Sequence, residues 1–437
     1  MKQSQNGTNF IKDQLDSNLN YELTRNKPTD FTRKRKIGPK ELIIYNMNKK
    51  GLSSKMEEYH FFKITGYESI STPGMLKQRE KLNPEIFRHL NDGLLNVYYK
   101  DCKEEMKLYN GYLLTATDGS EFEIPNTKTS KESFGSTTSG YKKTENVARA
   151  KVSIVIDILN KFVLDICIAK HRTNDMKLSK IHRNQIISKF RDYKIINIKD
   201  RGYTSLEDMY YSINNNIKFI QRLDSKTFSK EISQMKSNDE EIEIQYEYNR
   251  IKYLKKTAPE LYQYYLDGNT IKLRAIKINL ETETETEILL TNLDFTYEEM
   301  KELYKLRWSI ESTYHQLKEN LKIETISSGK EVIVKQEILS QMLVYNIAQS
   351  HINVAESKIT QEKYKHEMKI NHNMAMGLLK DYFIYIIMEE KAEKRLLLMD
   401  EFEQLIAKYL CPIRKNRKYK INKQIKNKHH INKRKTF

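Results

Sequence analysis

Leu303, Leu306, Ile310, Leu317 and Leu321 recur at helical spacing and predict an amphipathic helix containing the stretch YKLRWSIESTYHQLKENLK, residues 304–322. Thr296 and Glu299 read as a capping box at its start, with Phe295 and Met300 as the hydrophobic staple. Beside the apolar stripe, Tyr304, Arg307, Glu311 and Lys318 project into one sector roughly 60° wide. For a lone pair the plain reading is a solvated face, with Arg307 and Glu311 paired one turn apart. The row gains meaning only from the rest of the chain.

Upstream, the pattern alternates between helix-like and strand-like stretches. PKELIIYNMNKKGLSSKMEEYHFF and TPGMLKQREKLNPEIFRHLNDGLLNVYYKD carry three- and four-residue apolar spacing. YNGYLLTATDG is a short apolar run ending at Asp118, and KVSIVIDILNKFVLDICIAK reads as an antiparallel hairpin about an Asn160-Lys161 turn. Between them NTKTSKESFGSTTSGYKKTEN has the composition of a flexible loop. NDMKLSKIHRNQIISKF is a helix, YKIINIKD a strand stopping at Asp200, SLEDMYYSINNN a helix behind a Thr204/Glu207 capping box, and IKFIQRLD a further strand.

From about 225 to 290 the pattern is again strand-like but strongly charged, and the repeat ETETETE (281–287) reads as an exposed hairpin end. KQEILSQMLVYNIAQSHINVAES and the segments to about 410 are helical. The expected organisation is a basic arm (1–39), an N-terminal helical DNA-binding domain (40–108) and the first part of an α/β core (109–224). A β-rich insertion (225–293), a helix completing the core (294–330), a helical C-terminal part (331–411) and a basic tail (412–437) follow.

Charge narrows the choice of partner. The chain has 437 residues with 76 Lys and Arg against 58 Asp and Glu, a net +18, and eleven of those cations fall after Pro412 with no acid among them. Nucleic acid is the favoured polyanion, because no apolar run of about 18 residues exists for a membrane and the N-terminus has no signal-like apolar stretch. A cytoplasmic location is expected. Cys102, Cys167 and Cys411 are far apart, so neither disulfides nor a zinc site is indicated. His171 and His182 read as surface or DNA-side groups, which leaves oxygen ligands for any metal.

Asp118 and Asp200 each follow a predicted strand, and Glu311 stands on the polar row. If the two strands are parallel and adjacent, both acids lie at one sheet edge, where open α/β sheets build sites. Three converging carboxylates suit two Mg²⁺ ions about 3.5–4 Å apart, activating a water or a 3′-hydroxyl for in-line phosphodiester displacement. Taken singly, TDGS and KDRGY are as compatible with simple turns.

The order strand–Asp, hairpin, helix, strand–Asp, helix, β insertion and Glu-bearing helix matches an RNase H-like core. Together with TDGS, DRGY and the Y-R-E-K spacing of Tyr304, Arg307, Glu311 and Lys318, the chain resembles a DDE transposase of the insertion-sequence-four type over about residues 30–420. The resemblance implies an α/β fold: an RNase H-like mixed sheet with flanking helices, interrupted by a β-rich insertion, plus helical N- and C-terminal parts. It implies Asp118, Asp200 and Glu311 as catalytic metal ligands for two Mg²⁺ ions, with Mn²⁺ as a substitute. Tyr304, Arg307, Lys318 and Arg201 would contact DNA, with Gly119 and Gly202 supporting the acids. The implied activity is cut-and-paste transposition: binding double-stranded terminal inverted repeats, cleaving at the ends and joining 3′-hydroxyls to target DNA. A homodimer in the DNA complex and a prokaryotic, nucleoid-associated setting are implied as well. Trp308, the single Trp, is expected to pack. The alternatives are a metal-dependent endonuclease without strand transfer and a non-catalytic basic DNA-binding protein.

Overall fold

A computed structural model describes residues 2–16, 21–139, 145–245, 247–279 and 286–413. Among them, nine strands form one mixed sheet: β1 (Tyr112–Glu123), β2 (Ser136–Ser139), β3 (Glu145–Asp157), β4 (Val163–Lys170), β5 (Lys194–Lys199), β6 (Lys218–Arg222), β7 (Asp239–Ile244), β8 (Ile271–Asn279) and β9 (Thr286–Thr291). Central β1 is antiparallel to β3 and parallel to β5, and β6 runs parallel to β5 on its far side. The β3–β4 hairpin turns at Asn160-Lys161 as expected. Lys161 takes φ 60°, and the Asp157 carboxylate accepts from the backbone N–H of Leu159 and Asn160 at 2.9 and 3.0 Å. The succession β4-β3-β1-β5-β6 is the expected RNase H-like core, flanked by helices.

Four expectations need correction. β1 does not stop at Asp118 but pairs with β3 as far as Glu123, because Phe122 is a buried anchor beyond it. The 126–146 stretch is not simply a loop. Thr127 caps a short helix, Lys128–Phe134, and β2 pairs with β3, while residues 140–144 lie outside the described residues. The helix after Asp200 is capped by Ser205, whose hydroxyl accepts from Asp208 N, whereas Thr204 Oγ1 donates to Arg201 and Arg222 carbonyls.

The insertion, finally, carries helices as well as the expected strands. It contains short helices, among them Pro259–Leu266, and its three strands extend the main sheet, with β9 antiparallel to β6. Its own apolar core gathers Ile244, Leu254, Leu261, Tyr265 and Leu290. Most of the ETETETE repeat lies outside the described residues. Glu287, its last member, is buried and ion-paired with Arg222.

Helix Glu331–Ser357 is buried along most of its length and forms the axis of the helical layer. Helices Lys2–Asp16, Pro39–Met47, Glu85–Asn96 and Ala392–Ile406 pack around it, and one continuous apolar core joins them to the sheet. The expected N-terminal arm is therefore a docked helix over residues 2–16. Its buried face is Gln3, Ser4, Gly7, Thr8, Ile11, Lys12 and Leu15. Ser4 Oγ donates to Glu403 Oε1 at 2.7 Å, and Thr8 Oγ1 meets His351 Nε2 at 3.1 Å. More than half of that face is polar, so an apolar pattern does not reveal it. One buried charge cluster in this layer is paired: Glu337 lies 2.6 Å from both Lys49 and Arg79, which hold its carboxyl down at about 2 against the effect of burial. The basic tail from residue 414 lies outside the described residues. Among the described residues no helix is long and apolar enough to cross a membrane.

Candidate active site

Parallel pairing of β1 with β5 ends at Thr117↔Lys199, so the next residues, Asp118 and Asp200, come abreast where the two strands part. β1 continues along β3, and the gap left by the end of β5 is the crevice. Gly119 leaves room there for the Lys151 side chain. A Cβ at that position would lie 2.7 Å from Lys151 Cε and 3.0 Å from Asp175 Oδ1, which form a salt bridge over the strand. Gly202 meets nothing within 4 Å and has no comparable steric reason.

Glu311 arrives from a helical run with a strong start. The Thr296/Glu299 capping box is present, and Phe295 and Met300 pack into the core. The run is continuous but not uniform: an α-helix over Tyr297–Lys305, a 3₁₀ turn over Leu306–Trp308, an α-helix over Ser309–His315 and a π turn over Gln316–Asn320. Tyr314 fixes it to the sheet by donating its hydroxyl to the carbonyls of Asp118 (2.8 Å) and Val152 (3.0 Å). The expected polar row consequently passes from inside to outside. Tyr304 is 1% exposed and Arg307 5%, whereas the Glu311 side chain is 43% exposed.

Arg307 links the acids. Its guanidinium lies 3.2 Å from Glu311 Oε1 and 3.9 Å from Asp200 Oδ2, and it stands 5.2 Å from the Trp308 ring. Asp200 also accepts from Arg201 N at 2.8 Å and from Arg222 Nη1 at 3.2 Å. Arg222 in turn is held by Glu287. Sequence reading missed this Arg222–Glu287 pair, whose partners come from different strands 65 residues apart.

Burial pushes the Asp118 carboxyl up to about 6, and the negative charges of Asp200 and Glu311 add to that, against a hydrogen bond from Gly119 N and the charge of Arg307. Arg307 is itself held above its ordinary value: burial opposes its charge, but Tyr304, Asp200 and Glu311 outweigh it. The three carboxylates are near enough for Asp200 and Glu311 to add to the effect of burial on Asp118, and as oxygen ligands they would suit a divalent cation, although their oxygens do not all fall within 4.8 Å of one another.

The remaining expected residues are divided. Arg201 is exposed beside Asp200. Lys318 Nζ donates to the Glu121 carbonyl at 2.6 Å, lies 3.4 Å from Glu324 and covers the Phe122 ring, clamping the π turn to the end of β1. Tyr304, expected to touch DNA, is inside the fold, and burial raises its phenol to about 12 despite nearby Arg307 and Arg222. Trp308, expected to pack, is 43% exposed. With Glu311, His315 and Gln316 it lines a groove of ≈ 490 Å³ that reaches Lys369 and His372.

His171 and His182 are not surface groups either. His171 is largely covered and lies 2.9 Å from Glu121, and His182 is fully buried with Asp165 and Cys167. That second cluster is a poor metal site: His182 Nδ1 is engaged by Asp165 at 2.6 Å, Lys189 and Arg88 approach the same carboxylate, and burial pushes the Cys167 thiol up to about 12.

No curated protein matches the chain. Among solved structures, a cryo-EM structure of a piggyBac transposase synaptic complex with hairpin DNA is similar at 10% identity, over 86% of this chain and 80% of that one, with a TM-score of 0.44. The family model described as the transposase DDE domain matches residues 109–347, which span β1 to β9, the Glu311 helix and the first part of helix Glu331–Ser357. That match covers more than half of the sequence, and the chain belongs to the DDE transposase family.

Proposed function

We propose that this chain is a cut-and-paste transposase of the insertion-sequence-four type, in which Asp118, Asp200 and Glu311 hold the divalent metal and carry catalysis. The observation that supports it most is the end of the β1–β5 register at Thr117↔Lys199, which sets the two aspartates side by side under the Glu311 helix. Two bound Mg²⁺ ions, or Mn²⁺ in their place, would supply activation of the attacking oxygen and stabilisation of the leaving one.

The chain's own groups do the rest. Arg307, between Glu311 and Asp200, orients both carboxylates. Buried Tyr304 stacks below it, with 5.8 Å between guanidinium and ring, and acts by positioning Arg307. Arg201 and Lys318 meet phosphates flanking the cut. The partners are double-stranded transposon ends and target DNA, bound by a homodimer that pairs two ends. The helices between 39 and 96 and the basic tail supply end-specific and general phosphate contacts respectively.

Purified protein with Mg²⁺ and the DNA flanking its own gene should nick at repeat ends. Asp118→Asn, Asp200→Asn and Glu311→Gln should each abolish cutting and leave DNA binding intact. Normal cutting by all three variants would end this reading. A target plasmid in the same reaction separates transposase from endonuclease, since only strand transfer yields joined products.

A further inference from the structure

Behind Asp118, on the buried side of β1, three polar side chains stand in line. Asp165 on β4 and Ser153 on β3 flank His182 of helix Asp175–Lys189, and all three are essentially inaccessible. Asp165 Oδ2 lies 2.6 Å from His182 Nδ1, and His182 Nε2 lies 3.0 Å from Ser153 Oγ. Ser153 Oγ then donates to the Asp118 carbonyl at 3.2 Å, from the β3 position that pairs with Gly119.

A carbonyl can only accept, so Ser153 Oγ is the donor to Asp118, and the His182 ring lies on the other side of that hydroxyl. Asp165 is ionised: burial would raise its carboxyl, but His182, Lys189 and Arg88 hold it below the usual carboxylate range. It therefore accepts from Nδ1. The Lys189 and Arg88 charges beside them are shared with Asp92 and Glu85.

We propose that Asp165, His182 and Ser153 form a buried positioning relay that fixes the Asp118 main chain, and hence the aim of the Asp118 carboxylate toward the divalent metal. None of the three touches the crevice. With Tyr314 on the other lone pair, the Asp118 carbonyl is held by two hydroxyls from two different elements. The geometry resembles a serine hydrolase triad but, being closed to solvent, has no substrate to attack. The relay rests on the assignment of Asp118 as a metal ligand, and the experiment separates the two.

Mn²⁺ binding to the full chain is measured by calorimetry without DNA, alongside thermal melting and binding to an end fragment. Ser153→Ala should weaken Mn²⁺ binding by about tenfold, the lower end for loss of a partner behind a metal ligand. Ser153→Thr, which keeps a hydroxyl, should restore it, and DNA-end binding should be unchanged in both. Wild-type affinity in Ser153→Ala, where Asp118→Asn has lost it, overturns the relay alone. Failure of the wild type to bind Mn²⁺, or wild-type affinity in Asp118→Asn, removes the metal assignment and the relay with it. Should Ser153→Ala not fold, His182→Gln is measured in its place, and wild-type Mn²⁺ affinity there overturns the proposal.

Discussion

Replacing Asp118 with Asn should make the metal-free protein more stable while destroying its cutting activity. Asn keeps the shape and can still accept from Gly119 N, but it carries no charge into a site that resists one. The Asp118 carboxyl rises from 3.8 to about 6 on folding, first through burial and then through Asp200 and Glu311. At about 1.36 kcal/mol per pH step this is a penalty of at most about 3 kcal/mol at neutral pH, and partial solvent access at the crevice brings the expected gain to roughly 1–3 kcal/mol. The sign follows from linkage. Between the two values the native state holds more protons than the unfolded one, so stability falls as pH rises through this window and levels off above it. The variant lacks that slope, so its advantage at pH 4.5 should be about a third of that at pH 7.5. Urea unfolding of both proteins in EDTA at these two pH values measures it. Adding Mg²⁺ should stabilise the wild type only. Equal stability at pH 7.5, or an advantage that does not shrink toward pH 4.5, would refute the electrostatic account of the site.

Other outcomes are expected. Glu337→Gln leaves Lys49 and Arg79 buried without their counter-charge and should cost about 3–5 kcal/mol in urea unfolding. In the wild type this stabilisation is complete above the ordinary glutamate range and lost as pH falls toward about 2, the native value. Gly93→Ala would place a Cβ 2.2 Å from the Phe10 ring, so it should cost about 1–3 kcal/mol and expose residues 2–16 to proteolysis. Arg201→Ala and Lys318→Ala should each lower the slope of log affinity for DNA against log salt by about one, measured by fluorescence anisotropy. Removing the residues after Pro412 should weaken binding to any sequence and flatten the same slope.

The parts of the fold legible in the sequence were those whose apolar residues obey one period. The β3–β4 hairpin, β5, β6 and helix Glu331–Ser357 all show it. Helix Lys2–Asp16 was not legible because its buried face is mostly polar, and Ser4 and Thr8 on it find their partners some 340–400 residues away. Helix Pro259–Leu266 carried a readable signal, Pro at its first position and Leu261 and Tyr265 one turn apart, hidden by the strand-like charge alternation around it. At the site, TDG, DRG and the Glu311 helix could be located, since each is a local pattern. The burial of Tyr304 and the exposure of Trp308 could not, because they depend on a 3₁₀ turn that rotates one part of the helix against the other. His182 was misread for a related reason: its helix buries His, Ser and Arg along with Leu and Ile, so polarity gave no sign of depth.

The return of β9 to the side of β6 has an architectural consequence. The long excursion that separates Asp200 from Glu311 leaves and re-enters the sheet on neighbouring strands, and Arg222 and Glu287 clasp its two feet together. Whatever lies beyond that clasp can lengthen, shrink or be exchanged without altering the distance between the second acid and the third. The excursion is thus a replaceable module mounted on a fixed hinge-free base, free to diversify in what it touches while the chemistry beneath keeps its dimensions.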